Sequence, residues 1–325
     1  KAVNLGNSTA MYNLAICYKN GHGVEKDINC AIELYKKAAN LGNSLAMVNL
    51  ANCYKEGHGV EKDINHTISL YEKAVNLDNS LAMVNLANCY ENGIGVEKDI
   101  NCAICLYEKA INLGSSSAMF SLAICYEEGH GVEKDINYAI ELYEKAVNLN
   151  NSCAMNNLAD CYDKGEGVEK DINYAIYLYE KAVNLGNSYA MSNLAYYYEN
   201  GEGIEKDVYK AIELYKQAVN LDNSLAMNNL AFCYKNGEGV EKNIPKAIEL
   251  HEKAIELNSD DKIFHKNLEN LIREYNSEYI LYLQSKYQTL KKEYQEIRNN
   301  LVDYAPGTNK VKKLETEFYH NADKL

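Results

Sequence analysis

Hydrophobic residues recur along this chain with the spacing of amphipathic helices, and the whole pattern repeats at a fixed interval. Met11, Met47 and Met83 lie 36 residues apart, and the interval continues to Met227. Each interval contains two runs of apolar residues. Within a run, the residues recur at spacings such as three, four, seven or eight positions, which places them on one side of a helix. In the first unit these runs are Ala10, Leu14, Ala15 and Tyr18, and then Ala31, Leu34, Tyr35 and Ala38. The pattern predicts seven pairs of helices.

A polar segment separates the two helices of each pair and reads NGHGVEKD in the first unit. Gly21 suits the left-handed residue that ends a helix. Asp27 can cap the start of the second helix, and Asn43 with Ser44 begins the next unit. Gly21-His22-Gly23 is not a phosphate-binding loop, because it joins two helices and lacks a following Gly-Lys-Ser/Thr.

The small residues Ala15, Ala31 and Ala38 allow the two helices of a pair to approach closely. One hairpin cannot bury both of its faces, so successive hairpins must stack on one another. We therefore predict an all-α solenoid of seven helix-loop-helix repeats over residues 1–258. The chain begins in the middle of a repeat, and whether a targeting signal or further repeats precede residue 1 stays open.

After residue 258 the repeat fails and a different pattern begins. Residues 262–275 resemble a last, degenerate first helix, and residues 259–304 as a whole predict a capping helix and one long helix, followed by a short helical tail at 305–325. The long helix carries a heptad seam of Ile280, Leu283, Tyr287, Leu290, Tyr294, Ile297 and Leu301. This seam either folds back on the final repeat as a cap or forms a coiled coil that pairs two copies or docks a partner.

The repeated residues resemble a known family. The pattern A-x-x-x-L-A-x-x-Y-x-x-G-x-G-V-x-x-D-x-x-x-A-I-x-x-Y-x-K-A is similar to the Sel-one-like repeat, a relative of the tetratricopeptide repeat. The resemblance implies a right-handed α/α superhelix that acts as a non-enzymatic scaffold or adaptor for protein partners.

An asparagine recurs in the middle of the first helix, although asparagine favours caps and turns over helix interiors. The series is Asn13, Asn49, Asn85, Asn157, Asn193 and Asn229, with Ser121 in the fourth unit. In the similar tetratricopeptide repeats the matching asparagine lines the concave groove and binds the backbone of a peptide. The alternative is that each asparagine bonds to the neighbouring repeat, and both roles can hold together.

Two positions beside the asparagines vary from unit to unit, as a recognition surface would. One reads Tyr12, Val48, Val84, Phe120, Asn156, Ser192 and Asn228, and the other reads Ile16, Asn52, Asn88, Ile124, Asp160, Tyr196 and Phe232. We expect the aromatic members Tyr12, Phe120, Tyr196 and Phe232 to provide apolar selectivity. Lys19, Lys55 and Lys235 are predicted at the edge of the groove, where they can meet acidic groups of a ligand.

The formal net charge of -13 limits the class of partner. Residues 259–325 carry 11 basic and 11 acidic residues, so the whole deficit lies on the repeats. An acidic body repels phosphate backbones, which argues against nucleic acid and favours a basic or neutral peptide. No apolar run approaches the length of a membrane span.

The ten cysteines are better explained by packing in the core than by disulfide bonds or metal binding. Six of them share one repeat position, and equivalent positions in successive units are too far apart for disulfides. Unpaired cysteines favour a reducing compartment, and hence a cytoplasmic location. Cys102 and Cys105 form a lone C-x-x-C, and Cys30, His66 and Cys102 share a variable position, so neither set supports a metal site or a cofactor.

No nucleophile and base are brought together by the repeat, so an active site has no positive support. The sequence favours a non-enzymatic scaffold that holds a peptide or protein segment. Two alternatives stay open: a homo-oligomeric structural protein assembled through the C-terminal helix, and a hydrolase of the kind claimed for cysteine-rich members of the similar family.

Overall fold

The computed structural model describes the backbone of residues 6–300 and the side chains of residues 6–292. Within that range the chain forms sixteen α-helices and no strands. The helices are α1 Ser8–Asn20, α2 Ile28–Asn40, α3 Ser44–Glu56, α4 Ile64–Val75, α5 Ser80–Asn92, α6 Ile100–Asn112, α7 Ser116–Glu128, α8 Ile136–Asn148, α9 Ser152–Lys164, α10 Ile172–Asn184, α11 Ser188–Asn200, α12 Val208–Val219, α13 Ser224–Asn236, α14 Ile244–Leu257, α15 Lys262–Glu274 and α16 Asn276–Asn300. Helices α1 to α14 form the seven predicted hairpins, and the predicted helical solenoid is confirmed.

Local chemistry sets the ends of these helices. Asn43 accepts a hydrogen bond from the Ala46 N–H at 2.8 Å at the start of α3, and Asp27 accepts one from the Cys30 N–H at 3.0 Å at the start of α2. Such a cap contributes about 1 kcal/mol to the stability of its helix. Gly21 ends α1 with a φ of 76°, in the left-handed region. The predicted caps at these positions are confirmed.

The chain divides into two compact units, residues 1–185 and 186–325, so the division falls between the fifth and sixth hairpins. In the first unit the second helix of each hairpin packs on the first helix of the next, as α2 does on α3 and α4 does on α5. In the second unit α12 packs on α13 in the same way. Ala15, Ala31 and Ala38 are fully buried, so the helices approach as closely as their small residues predict.

The second glycine of the loop lies against the preceding hairpin in the second to fifth repeats and in the seventh. A Cβ atom built on Gly95 would lie 2.2 Å from Ile64 Cγ2, and one built on Gly59 would lie 2.7 Å from Ile32 Cδ1. The same atom on Gly23, in the first repeat, would have no neighbour within 4 Å among the described residues. The recurrence of this glycine therefore reflects close packing between hairpins, in addition to the left-handed backbone that all three residues share.

The C-terminal helices cover the end of the last hairpin. Helix α16 contacts α14, where the Tyr282 hydroxyl donates to Glu252 Oε2 at 2.8 Å and Lys286 Nζ lies 3.2 Å from the same oxygen. Of the predicted heptad seam, Leu283 and Leu290 are buried, whereas Ile280 is 43% exposed. The two buried leucines are not available to a second copy while this packing holds.

The rest of the seam gives less information. Tyr287 is partly exposed. Tyr294 and Ile297 lie in the part of α16 whose side chains are outside the described residues, and so do Leu301 and the predicted tail at 305–325. Dimerisation through this helix stays a prediction.

Candidate partner-binding surface

The first helices of the hairpins carry three neighbouring positions that form the candidate site within each compact unit. Each position is named here by its member in the third repeat, Asn85, Asn88 or Glu91, and the three together are called the ladder surface. The Asn85 position holds the predicted asparagines, and the Asn88 position holds Ile16, Asn52, Asn88, Ile124, Asp160, Tyr196 and Phe232. The Glu91 position holds Lys19, Lys55, Glu91, Glu127, Asp163, Glu199 and Lys235.

The side chains at the Asn85 position have mixed roles. Asn157 Nδ2 donates to the Tyr143 hydroxyl of the preceding hairpin at 3.1 Å, and Ser121 and Asn229 bond to Tyr107 and Tyr215 in the same way. Asn49 instead donates to the carbonyl of Leu45 in its own helix. The predicted bonding between repeats is therefore present at several units.

The remaining asparagines of this series differ in exposure. Asn85 and Asn193 are partly exposed, and Asn13 in the first repeat is exposed. Peptide binding by the whole series stays a prediction.

Sequence reasoning places Tyr35 on the apolar face of the second helix, and the main feature that it missed is how the buried hydroxyl at this position is hydrogen-bonded. The first six hairpins place Tyr35, Tyr71, Tyr107, Tyr143, Tyr179 and Tyr215 at one repeat position, and all six side chains are almost fully buried. A buried hydroxyl requires a hydrogen-bond partner. Five of the six find an acceptor on the first helix of their own hairpin.

That acceptor comes from the Asn88 position, the Glu91 position or both. Tyr107 donates to Asn88 Oδ1 at 2.6 Å and to Glu91 Oε2 at 2.8 Å. Tyr143 donates to Glu127 Oε2 at 2.5 Å.

The other three pairs follow the same rule. Tyr215 donates to Glu199 Oε2 at 2.8 Å, and Tyr71 and Tyr179 donate to Asn52 and Asp160. The sequence predicts that variation at the Asn88 position selects partners. In the structure, this variation also determines which side chain accepts the hydrogen bond of the buried tyrosine.

The first and last hairpins lack this acceptor. In the first, the two positions are Ile16 and Lys19, and the buried Tyr35 hydroxyl has no hydrogen-bond partner among the described residues. In the seventh they are Phe232 and Lys235, and His251 stands where the other hairpins have tyrosine.

His251 is 1% exposed and meets the Phe232 ring edge-on at 5.6 Å between centroids. Burial, together with the nearby Lys235 ammonium, lowers the pKa of His251 to about 4. The sequence held the signal, because LHEKA replaces LYEKA at residues 250–254.

Burial dominates the titration of the other core groups. It raises the pKa of Tyr35 to about 12 and, with the Glu127 carboxylate, raises the pKa of Tyr143 further. Burial likewise raises the pKa of Cys125 to about 11. This thiol therefore stays protonated near neutral pH and packs as a small apolar group.

The predicted aromatic contacts are only partly available at the surface. Tyr12 and Phe120 are half-buried, with ring centroids 6.2 Å from Tyr35 and 6.0 Å from Tyr143 respectively. At the other units their position is buried, so it belongs mainly to the core. Tyr196 and Phe232 are 48% and 38% exposed, so they are the two predicted aromatic residues that remain available at the surface.

The predicted lysines differ in their surroundings. Lys19 and Lys55 line a cavity of about 690 Å³ between the first two hairpins, together with Lys26 and His58. Lys235 instead forms an ion pair with Glu274 of α15 at 2.7 Å. Cys30, Cys102 and Cys105 are exposed free thiols, and in the described part of the chain no three His, Cys, Asp or Glu side chains are placed to hold a metal ion.

Comparison with known proteins identifies the repeat. The Sel1 repeat model matches seven times, at residues 8–43, 44–79, 80–115, 116–151, 154–187, 188–223 and 224–259. No curated protein matches the chain. Among the described residues, no helix combines the length and the apolar character that a membrane span requires.

Solved structures share the architecture. A Sel1 repeat protein from Oxalobacter formigenes is 32% identical with a TM-score of 0.60, over 66% of this chain and 85% of that one. The protective antigen c5321 of uropathogenic Escherichia coli, which displays an SLR fold, is 31% identical with a TM-score of 0.56, over 84% of this chain. The match spans only 58% of the antigen's own length.

The immunity protein Pa5087 from Pseudomonas aeruginosa is 23% identical with a TM-score of 0.51, over 66% of this chain and 81% of that one, and shows the fold alone. Sel1 repeat proteins are typically non-enzymatic scaffolds for protein–protein interaction, as the resemblance implies. With seven matches in tandem, this chain belongs to the Sel1 repeat family.

Proposed function

We propose that this chain is a protein-interaction scaffold that holds a polypeptide segment along the ladder surface. The observation that carries the proposal is the combination of a constant frame with changing chemistry. Caps, glycines and buried alanines are nearly the same in every hairpin, whereas the Glu91 position changes from lysine to carboxylate and back. A rigid support for partly exposed groups of varied charge is suited to selecting one partner segment.

Amide side chains complete the proposed contacts. Asn85 is partly exposed and lies beside the basic cavity between the first two hairpins. An asparagine offers both a donor and an acceptor, which matches the alternating groups of an extended peptide backbone. Tyr196 and Phe232 add exposed aromatic area of the kind that anchors a partner side chain.

The test is selection of binders from a library of random peptides, followed by Asn85→Ala. We expect the selected peptides to lose at least about fivefold in affinity, because one or two hydrogen bonds are removed. The matched control is Asn92→Ala, since Asn92 is exposed on the same helix and its amide bonds only to the Asn88 carbonyl among its described contacts. Equal affinities for wild type and for Asn85→Ala, with the melting temperature unchanged, would overturn the proposed surface.

Assembly through the C-terminal helix is the second candidate. Leu281 and Ile280 on α16 are 64% and 43% exposed, so this helix retains an apolar strip after α14 has covered Leu283. Light scattering of the full chain distinguishes the two functions. A monomer at micromolar concentration that still binds peptide supports the scaffold, and a dimer that Leu281→Glu dissociates supports assembly.

A further inference from the structure

Charge is segregated along the Glu91 position of the first compact unit. The first two hairpins place Lys19 and Lys55 there, and the next three place Glu91, Glu127 and Asp163. All five residues occupy the same place on their hairpins, and all are partly exposed. One face of one unit therefore changes from basic to acidic between its second and third hairpins.

The basic end is a recess. The cavity beside Lys19 and Lys55 is also lined by Lys26 and His58, and Glu56 is its one acidic lining residue. Neither Lys19 nor Lys55 forms an ion pair within the described part of the chain. In a chain with a net charge of -13, a cavity lined by three lysines and one glutamate is locally basic and is suited to a carboxylate or another anion.

The second unit shows what a lysine at this position can bind. Lys235 contacts the carboxylate of Glu274 at 2.7 Å, and Glu274 lies on the helix that follows the last hairpin. The hydrogen bond from Lys235 lowers the pKa of Glu274. A segment that lies across the end of a hairpin can therefore bring a carboxylate to this position.

The acidic end is held in place by the core. The hydroxyl of Tyr107 binds Oε2 of Glu91, and the hydroxyl of Tyr143 binds Oε2 of Glu127. Among the described contacts, Oε1 of each carboxylate has no hydrogen-bond partner. Asp163 lies 4.0 Å from Lys170, which is a long and weak contact. Anchored carboxylates lose little side-chain entropy when they meet a cation.

We infer that the partner of this unit is a segment with divided charge, acidic where it lies on the first two hairpins and basic where it lies on the next three. The inference rests on the proposed function and specifies its ligand. With first helices spaced about 10 Å apart and an extended chain rising about 3.3 Å per residue, five hairpins span about 12 residues. A segment with the reverse order of charge places like charges opposite one another on the hairpins, and this repulsion rejects it.

Two fluorescent peptides of about 15 residues test this inference by anisotropy, since that length covers the five hairpins. One has a block of glutamates, a short Gly-Ser spacer and a block of lysines, and the other has the same composition with alternating signs. We expect the block peptide to bind about tenfold more tightly at low salt, from several partly screened ion pairs. The difference should shrink as salt is raised.

Charge-removing variants show which residues are responsible. Lys19→Gln with Lys55→Gln should abolish the preference for the block peptide. Glu91→Gln with Glu127→Gln should do the same, and each glutamine can still accept the hydrogen bond from its tyrosine hydroxyl. The matched control is Lys37→Gln with Lys73→Gln, because both lysines are exposed on second helices. It should leave the preference unchanged.

The outcomes separate this inference from the proposed function. Equal affinity for the two peptides overturns the divided charge while leaving peptide binding intact. Failure of both designed peptides, when library peptides bind in an Asn85-dependent way, also overturns it. Failure of every library peptide overturns the proposed function and this inference with it.

Discussion

Replacing a buried tyrosine by phenylalanine removes one hydroxyl and little else, and this chain offers two such sites that differ in hydrogen bonding. The hydroxyl of Tyr143 donates to Glu127 at 2.5 Å and accepts from Asn157 at 3.1 Å. The hydroxyl of Tyr35 is equally buried but has no partner in the described part of the chain. Tyr143→Phe and Tyr35→Phe therefore test the same chemical change in opposite settings.

The expected magnitudes differ in size and in sign. A hydrogen bond to a charged group contributes about 1.5–3 kcal/mol, and a second, neutral bond adds about 1 kcal/mol. Glu127 is partly exposed and regains water when the hydroxyl is lost, which reduces the total. We expect Tyr143→Phe to lower the free energy of unfolding by about 2–3 kcal/mol. Tyr35→Phe removes an unpaired buried polar group and should leave stability unchanged or raise it by up to about 1 kcal/mol.

Urea unfolding measures both changes, read as the midpoint at constant m-value. Repeat arrays can unfold in stages, so amide hydrogen exchange should localise the lost protection to α7 and α8 in Tyr143→Phe. A third variant strengthens the comparison. Lys19→Glu supplies the first hairpin with the acceptor that other hairpins have, and it should stabilise the wild type but not Tyr35→Phe. Equal destabilisation by the two phenylalanine variants would refute the acceptor argument.

Three further predictions concern other parts of the molecule. His251 has a folded pKa of about 4, below its ordinary value. Its contribution to the free energy of unfolding is therefore complete above about pH 6.5, and up to about 3 kcal/mol is lost as pH falls towards 4. His251→Phe should flatten the acid side of the stability–pH profile, and an unchanged profile would contradict the assignment. Gly95→Ala should destabilise by at least about 2 kcal/mol more than Gly23→Ala in urea melts, because both glycines share a φ of 72° and only the former meets a neighbouring hairpin. Leu283→Ala should cost about 2–4 kcal/mol locally, measured by exchange in α16, and a loss of protection no greater than in Leu281→Ala would show that this helix is not docked.

The helices and their ends were predictable because local chemistry determines them. Gly21, Asp27 and Asn43 act on backbone groups within a few residues of themselves, so their roles can be read directly from the sequence. The stacking of hairpins was predictable for a related reason, since the alanines at the positions of Ala15 and Ala38 recur in all seven units and allow the helices to pack closely.

The roles of the ladder surface were less accessible because they depend on how each helix is rotated in the hairpin. Tyr143 and Glu127 are 16 residues apart, and nothing in either helix alone shows that the hydroxyl reaches that carboxylate. A period of 36 residues places Tyr12 and Asn156 at one position but does not tell whether that position faces the core or solvent. In the structure it faces mainly inwards, so its variation reflects packing as much as recognition.

The tyrosine acceptors have a consequence for how such a scaffold changes over evolutionary time. Glu91 and Glu127 present charge outwards and satisfy a buried hydroxyl at once, so a substitution that removes both the charge and the acceptor changes what the repeat selects and also weakens its fold. Adaptation of one repeat then tends to require two substitutions, and the order in which they arise matters. The seventh repeat differs at both places, because Phe232 and Lys235 offer no acceptor and His251 stands where the other hairpins have a tyrosine.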